Sequence, residues 1–371
     1  MPESNLASSK YWQERAERRV LAAERSAEEM LGQVQKMFED ASRQITKEIE
    51  AFYGRFASRE GITLEEAQMR LTPQELSLAK LDIERYYSEV SKYLDGNIID
   101  EQYRRYLRTL SGRAYMSRMD LLNVDLRRIT SELYSHYLDS MGNSLDAVFE
   151  DSFYRSIFDF QHATGYASEF YGLNQPAIQK AIDTRWLGAN YSKRIWEDQV
   201  RLESVLTTTI QRGIVLGYNP RKIGVQIAKE MGTRNNVAIR LARTEHNHIM
   251  NQATLGGYSE MGIKQYQFVA TLDNRTSVIC QELDGKIFDV GDEAEGINYP
   301  PMHPNCRSTT KAYFESNELA TVLANARRMA RDEFGDVYYI PGNVTYAQWR
   351  AGLMQMPDGK MRYNIHYEKA G

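Results

Sequence analysis

Cysteine is nearly absent from this sequence of 371 residues, which has two: Cys280 and Cys306. That excludes a disulfide-stapled scaffold, where several bridges stand in for a hydrophobic core. No apolar run approaches the ~20 residues needed to span a bilayer. The start, Met-Pro-Glu-Ser-Asn-Leu, lacks the basic and apolar regions of a secretion signal, so assembly in the cytoplasm is expected. A formal charge of −4 and a pI near 6.0 do not describe a basic nucleic-acid coat protein. A Gly-rich phosphate loop, a Gly-x-Ser-x-Gly elbow and a His-Glu-x-x-His pair are all missing, as are internal repeats and low-complexity tracts. Their absence removes the commonest signatures of NTPases, serine hydrolases and zinc proteases.

What remains is ordinary in bulk and uneven in detail. The chain is 42% hydrophobic and 26% charged, as a folded protein of two or three domains would be. Its 24 tyrosines suit half-buried helix faces and interfaces alike. From Arg185 to Arg243 there are eleven Lys or Arg against four Asp or Glu, and Glu101 to Arg128 holds seven Arg. From Gln281 to Tyr299 there are six acids and one Lys. The basic stretches are either solvated helix faces or surfaces that touch phosphate.

Helix periodicity dominates the first half. Between about Ser8 and Ser58, apolar residues recur at Trp12, Ala16, Val20, Ala27, Leu31, Val34, Phe38, Ala41, Ile45, Ile49, Phe52 and Phe56, mostly at steps of three or four. One helix of that length would reach ~75 Å, so an elongated stalk, a bundle arm or a break near Gly32 is expected. Thr63-Leu-Glu-Glu66 and Thr72-Pro-Gln-Glu75 have the form of capping boxes, with Pro73 at the first helical position. Further helices are expected to about Phe160, with breaks near Gly96 and Gly142. After a loosened stretch at Gly165–Pro176, shorter helices follow near Ile178–Ala181, Tyr191–Gly213, Pro220–Met231 and Asn236–Met261.

The period then changes. Lys264–Thr271 alternates polar and apolar residues, and Lys286–Val290 and Arg307–Phe314 are two more strand candidates. Leu283-Asp284-Gly285-Lys286 carries the Asp-Gly of a tight turn. Pro341-Gly342-Asn343 followed by Thr345-Tyr346-Ala347-Gln348 reads as a turn into a capped helix, and the last dozen residues as a tail. The expected fold is therefore α+β and predominantly α-helical. The expected domains are a helical arm over 1–165, a helical middle region over 166–235, a small α+β core over 236–315 and an extension over 316–371.

Candidate chemistry lies in that core. Cys280, His303 and Cys306 are the metal-ligand candidates: thiolate and imidazole suit zinc, and Pro301 and Pro304 would stiffen the His303-x-x-Cys306 turn. A closed site would need a fourth ligand, for which Asp273, Asp284 and water are the candidates. Equally open are two cysteines acting as small buried hydrophobes, a disulfide between them, and His303 capping backbone groups. Asp273-x-Arg275-Thr276 reads as an Asx-type turn, with Arg275 and Arg307 free to pin loops together through an acid. On a helix, Arg243, Asn247 and Asn251 would share one face, and Glu245 and His248 another. The latter two could move a proton or be a surface pair.

Taken in order, Ala242-Arg243-Thr244-Glu245 with Asn247, Asp273-x-Arg275-Thr276, Leu283-Asp284-Gly285-Lys286-Ile287-Phe288 and Pro300-Pro301-x-His303-Pro304-x-Cys306-Arg307 resemble the MuF-like domain of tailed-bacteriophage minor head, or head morphogenesis, proteins. Tyr11-Trp12-x-x-Arg15-x-x-Arg18, Ile49-Glu50-Ala51-Phe52-Tyr53 and Pro341-Gly342-Asn343-Val344-Thr345-Tyr346-x-x-Trp349 resemble minor capsid proteins from phages or prophages of Gram-positive bacteria. Ser308 stands where the family pattern often has a second Cys, which leaves a metal cage one ligand short. The resemblance implies a structural, non-enzymatic protein at the portal vertex, assisting head morphogenesis and DNA packaging or ejection. The implied partners are the portal protein, a scaffolding or major capsid protein and, through backbone contacts, phage DNA; a membrane and a small-molecule substrate are not among them. The implied location is the host bacterial cytoplasm during assembly and then the virion head. The competing readings are a DNA-binding module and a metal-dependent enzyme built on the core. MuF-like domains also occur fused to toxin or transferase domains, but the residues after Phe314 are too few for a typical catalytic domain.

Overall fold

The apolar steps of the first fifty or so residues are the inner face of one helix. In the computed structural model, α1 runs from Ser9 to Phe56 without interruption. Trp12, Ala16, Val20, Ala27, Leu31, Val34, Phe38, Ala41, Ile45, Ile49 and Phe52 are all buried, and Ala23 fills the one longer step in the series. The structure describes residues 9–56, 63–78, 80–81, 105, 109, 116–164, 173, 175–184, 188–271, 275–314, 329–331, 337–339, 353–355 and 361–363. Further helices among the described residues are α2 (Leu64–Ala67), α3 (Arg118–Thr164), α4 (Gln175–Asp183), α5 (Tyr191–Val215), α6 (Pro220–Glu260) and the short α7 (Val278–Leu283), and residues 73–78 are helical too. The strands among the described residues are β1 (Gln265–Val269), β2 (Ile287–Asp289), β3 (Thr309–Tyr313), β4 (Met329–Arg331), β5 (Val337–Tyr339), β6 (Leu353–Gln355) and β7 (Met361–Tyr363). The fold is α+β and mostly α, as the patterning indicates.

Three expected helix breaks are absent, and each has a physical reason. Gly32 and Gly232 sit on exposed positions where an added Cβ would meet nothing. Their cost to a helix interior, about 1 kcal/mol relative to Ala, is outweighed by the buried residues beside them. The patterns at Pro220–Met231 and Asn236–Met261 are accordingly one helix, α6. Gly142 marks a close approach rather than a break: a Cβ there would lie 3.2 Å from the Tyr191 hydroxyl. Gly96 falls outside the described residues.

Local capping chemistry sets the helix starts. Thr63 and Glu66 exchange both bonds of a capping box: Thr63 N–H donates to Glu66 Oε2 at 2.7 Å and Glu66 N–H to Thr63 Oγ1 at 3.2 Å. Thr72 and Glu75 repeat it at 2.8 and 3.3 Å. These bonds hold both carboxyls below the usual carboxylate range. Between α5 and α6 the chain turns through Gly217 at φ 66°. Tyr218 N–H donates to Gly213 O and Gly217 N–H to Ile214 O, the paired bonds of a Schellman motif. Asn219 then caps α6 by accepting from Lys222 N–H at 2.9 Å.

The chain forms two compact units. The helical unit comprises Met30–Gly142 and Ala189–Ile239. Its interior carries a buried polar string: Tyr134 Oη donates to Asp198 Oδ2 at 2.7 Å, Arg234 Nη1 donates to Asp198 Oδ1 at 2.8 Å, and Tyr137 Oη donates to the Ala238 carbonyl at 3.2 Å. The ring of Phe38 meets Tyr134 edge-on at 5.9 Å.

The sheet-bearing unit comprises Met1–Glu29, Asn143–Gly188 and Arg240–Gly371. Its sheet has the order β2-β1-β3, antiparallel throughout, with Gln265 opposite both Asp289 and Tyr313. The three expected strands are these three. Arg15 and Arg19 of α1 converge on the buried Asp159 of α3 at 3.0 and 2.7 Å. Trp12 packs on Phe314 at 5.5 Å. Two further antiparallel pairs, β4–β5 and β6–β7, follow. The expected turn and capped helix at Pro341–Trp349 lie outside the described residues. Part of the expected tail is instead strand β7, paired with β6.

Replacing Asp198 with Ala would strand Tyr134 Oη and Arg234 in the interior. Loss of one partner of a largely buried pair costs roughly 3 kcal/mol or more. Chemical denaturation should show a loss of about that size for Asp198→Ala and a smaller one for Asp198→Asn.

Candidate functional site

The site is built on a polar stripe of α6. Thr244, Asn247 and Asn251 recur at steps of three and four and so project from one side of the helix; all three are buried. Thr244 Oγ1 accepts from Asn305 N–H at 2.9 Å. The side-chain amides of Asn247 and Asn251 both donate to the Ser308 carbonyl, at 3.0 and 3.3 Å. Asn251 Oδ1 accepts from Thr309 Oγ1 at 3.0 Å, and the Asn251 carbonyl accepts from Tyr299 Oη at 2.6 Å. One helix face thus fixes the segment from Tyr299 to Thr309 at both ends and in the middle. Arg243, the residue just before Thr244, points instead to Glu28 of α1 and forms a forked pair with Oε1 at 3.0 and 2.6 Å.

Cys280 sits in α7, which ends in one type II turn, and a second type II turn presents His303 and Cys306. In Leu283–Lys286, Asp284 has φ −55° and ψ 129°, Gly285 has φ 77°, and Lys286 N–H donates to Leu283 O. The Asp-Gly pair therefore makes a type II turn that leads from α7 into β2. In His303–Cys306, Pro304 occupies the second position and Asn305 the third at φ 60°, and Cys306 N–H donates to His303 O at 3.0 Å. Pro followed by a residue at positive φ is the type II pattern, and Asn tolerates that region better than other residues with a Cβ. Pro301 is buried just ahead of the turn.

Helix α7 and the His303–Cys306 turn bring three donor atoms together. Cys280 Sγ lies 3.5 Å from His303 Nε2 and 3.8 Å from Cys306 Sγ, and all three donors fall within 4.8 Å of one another. His303 Nδ1 is 2.9 Å from the Pro304 carbonyl; a carbonyl only accepts, so Nδ1 carries the proton and Nε2 presents its lone pair to the sulfurs. Ser277 caps α7 by accepting from Cys280 N–H at 3.3 Å. Phe268, Ala270 and Met302 pack around both cysteines, with Leu283 and Phe288 alongside. The Cys280 thiol is held well below the ordinary thiol range, chiefly by the hydrogen bond from Cys306, with Ser277 and Ser308 adding to it against the opposing effect of burial. Sharing that proton, and burial, push the Cys306 thiol up. Both cysteines are free thiols; the sulfur separation is far beyond the ~2.05 Å of a disulfide.

The other expected site residues are placed as follows. Asp273 lies outside the described residues. Asp284 Oδ1 accepts from Ala270 N–H at 2.8 Å and stands apart from the three converging donors. Thr276 Oγ1 donates to the Thr271 carbonyl, and Thr271 Oγ1 donates to the Arg307 carbonyl at 3.0 Å, which ties the two loops beside the cluster. Glu245 and His248 are buried. His248 Nδ1 lies 2.6 Å from Glu295, which also accepts from Gln252 at 2.6 Å. Part of the acidic run 281–299 is therefore spent on internal bonds. Arg243, Arg275 and Arg307 line a cleft of about 720 Å³ together with Arg25, Glu24, Glu28, His246, Asn247, His303 and Cys306.

Patterning missed His246, Tyr299 and Arg19. His246 Nδ1 donates to the Ala242 carbonyl at 2.8 Å, and its Nε2 lies 2.7 Å from Ser144 Oγ, which is 3.0 Å from Ser26 Oγ. Arg19 follows Arg15 by four residues on the face that reaches Asp159, a spacing the sequence does show.

Burial holds His246 down at about 4, against ~6.5 for an unfolded chain. Between those values the unfolded chain binds a proton that the folded one refuses. Stability is therefore full above pH ~6.5 and falls as pH drops toward ~4, by on the order of 3 kcal/mol. Denaturant titrations across that window should show this slope, flattened in His246→Gln.

Comparison with known proteins bears on what this site belongs to. Residues 204–311 match the family described as Phage Mu protein F like protein. The chain is similar to Minor head protein GP7 of Bacillus phage SPP1, 22% identical over 301 residues, which are 70% of this chain and 95% of GP7. It is also similar to NAD(+)--arginine ADP-ribosyltransferase EFV of Enterococcus faecalis, 27% identical over 175 residues, covering 43% of this chain and 36% of that protein. An uncharacterized protein of Haemophilus influenzae is 25% identical over 184 residues, 48% of this chain and 40% of that protein. The chain thus spans less than half the length of these last two relatives. No solved structure matches it.

Proposed function

We propose that this chain, a member of the MuF-like family of phage minor head proteins, acts as a structural component of the phage head that associates with the portal vertex and assists head morphogenesis. The observation that carries this is the extent of the similarity to GP7, which runs over 95% of that minor head protein. The use of the motif residues supports a structural role. Thr244 and Asn247 bind backbone groups of the Tyr299–Thr309 segment, Asp284 binds the amide that follows β1, and Arg243 pairs with α1. Groups engaged in this way fix loops rather than act on a substrate. The likeness to the ADP-ribosyltransferase covers 36% of that protein, and no transfer chemistry is assigned to this chain from it.

On this reading the protein is made in the host bacterium, joins the assembling head beside the portal, scaffolding or major capsid protein, and remains in the virion. Among the described residues no helix is long and apolar enough to cross a membrane. Helical surface of the kind α5 and α6 offer, rich in Lys and Arg over Arg185–Arg243, suits an extended protein interface.

Co-expression with the portal protein of the same phage tests the reading. The chain should co-purify with tagged portal rings and sediment with procapsids. Its absence from both fractions, with the chain soluble and folded, would overturn the proposal.

A further inference from the structure

We propose that Cys280, His303 and Cys306 bind one Zn²⁺ ion as three protein ligands, with water in the fourth position. The argument is geometric. A tetrahedral zinc with bonds of about 2.3 Å to sulfur and about 2.05 Å to nitrogen places two sulfurs about 3.8 Å apart and a sulfur and a nitrogen about 3.6 Å apart. The observed separations are 3.8 Å for Cys280 to Cys306 and 3.5 Å for Cys280 to His303 Nε2. Two edges of the ligand tetrahedron are therefore already in place.

The surroundings answer the alternatives. If the cysteines were only small core hydrophobes, no imidazole nitrogen would need to face them. His303 does face them, and its other nitrogen is committed to the Pro304 carbonyl at 2.9 Å, the outer bond that metal-binding histidines usually make. The ligands also need no metal to find each other. Cys280 is placed by the Ser277 cap of α7, and His303 and Cys306 by a type II turn whose Asn305 amide is held by Thr244. The apolar shell of Phe268, Ala270 and Met302 shields the sulfurs from solvent. Thiolate with imidazole selects zinc over hard cations such as magnesium or calcium. Asp284 is engaged with Ala270 N–H, and among the described residues no fourth His, Cys, Asp or Glu joins the three, so water is assigned the fourth position. The ion would tie α7 to the turn ahead of β3, and this inference does not depend on the portal reading.

The test uses the full-length chain, reduced and purified without chelator. Elemental analysis should find about one zinc per chain. After chelation, one equivalent of Co²⁺ should give a thiolate-to-cobalt charge-transfer band and the visible bands of a tetrahedral site, both displaced by Zn²⁺. Cys306→Ser should abolish stoichiometric binding. His303→Ala removes a half-exposed residue, so it should keep the wild-type far-UV circular dichroism while lowering zinc affinity at least ~10-fold. Reduced wild-type protein that holds no zinc and gives no charge-transfer band would overturn the proposal. So would zinc affinity unchanged in folded His303→Ala.

Discussion

The grip of α6 on the Ser308 carbonyl is the constraint from which the rest of the site follows. Two asparagine side chains, both inside the protein, donate to one backbone oxygen. Thr244 and the Asn251 carbonyl hold the same segment at Asn305 and Tyr299. A buried carbonyl without donors costs about 1–3 kcal/mol, so this segment has a strong preference for one position. That position delivers Thr309 to the start of β3, where it pairs with Val269 of β1. It also delivers Cys306 and His303 to Cys280. The sheet register and the thiol–imidazole cluster are thus consequences of one helix face.

Much of the fold was legible because its causes are local. The capping boxes at Thr63 and Thr72 join residues three apart, and the burial of α1 follows from steps of three and four. The alternation in Lys264–Thr271 identified β1 directly. The breaks assigned near Gly32, near Gly142 and between Met231 and Asn236 were not real, because intrinsic helix propensity is a weak term beside the burial of an amphipathic face. Gly142 shows the difficulty: nothing in its neighbours along the chain reveals that a tyrosine hydroxyl from α5 needs the space.

The site was legible in its members more than in its wiring. The i, i+4 spacing put Asn247 and Asn251 on one face, but their shared acceptor lies 61 and 57 residues away. Glu245 and His248 were paired with each other by spacing, whereas His248 meets Glu295 across the fold. Arg19 was overlooked beside Arg15, although its acceptor Asp159 is 140 residues off. The pairing of distant charges is decided by tertiary burial, which patterning does not report. The family match begins at residue 204, within α5, ahead of the polar motifs that carried the resemblance.

The bonding around Tyr299–Thr309 fixes one arrangement of backbone, which is what the proposed structural role requires. Amide hydrogen exchange in Asn251→Ala tests the central claim most directly. The account predicts that the amides of Asn305, Cys306 and β3 lose protection by on the order of 10–100-fold, while those of α5 keep theirs. Unchanged protection across residues 299–309 in a folded variant would contradict it.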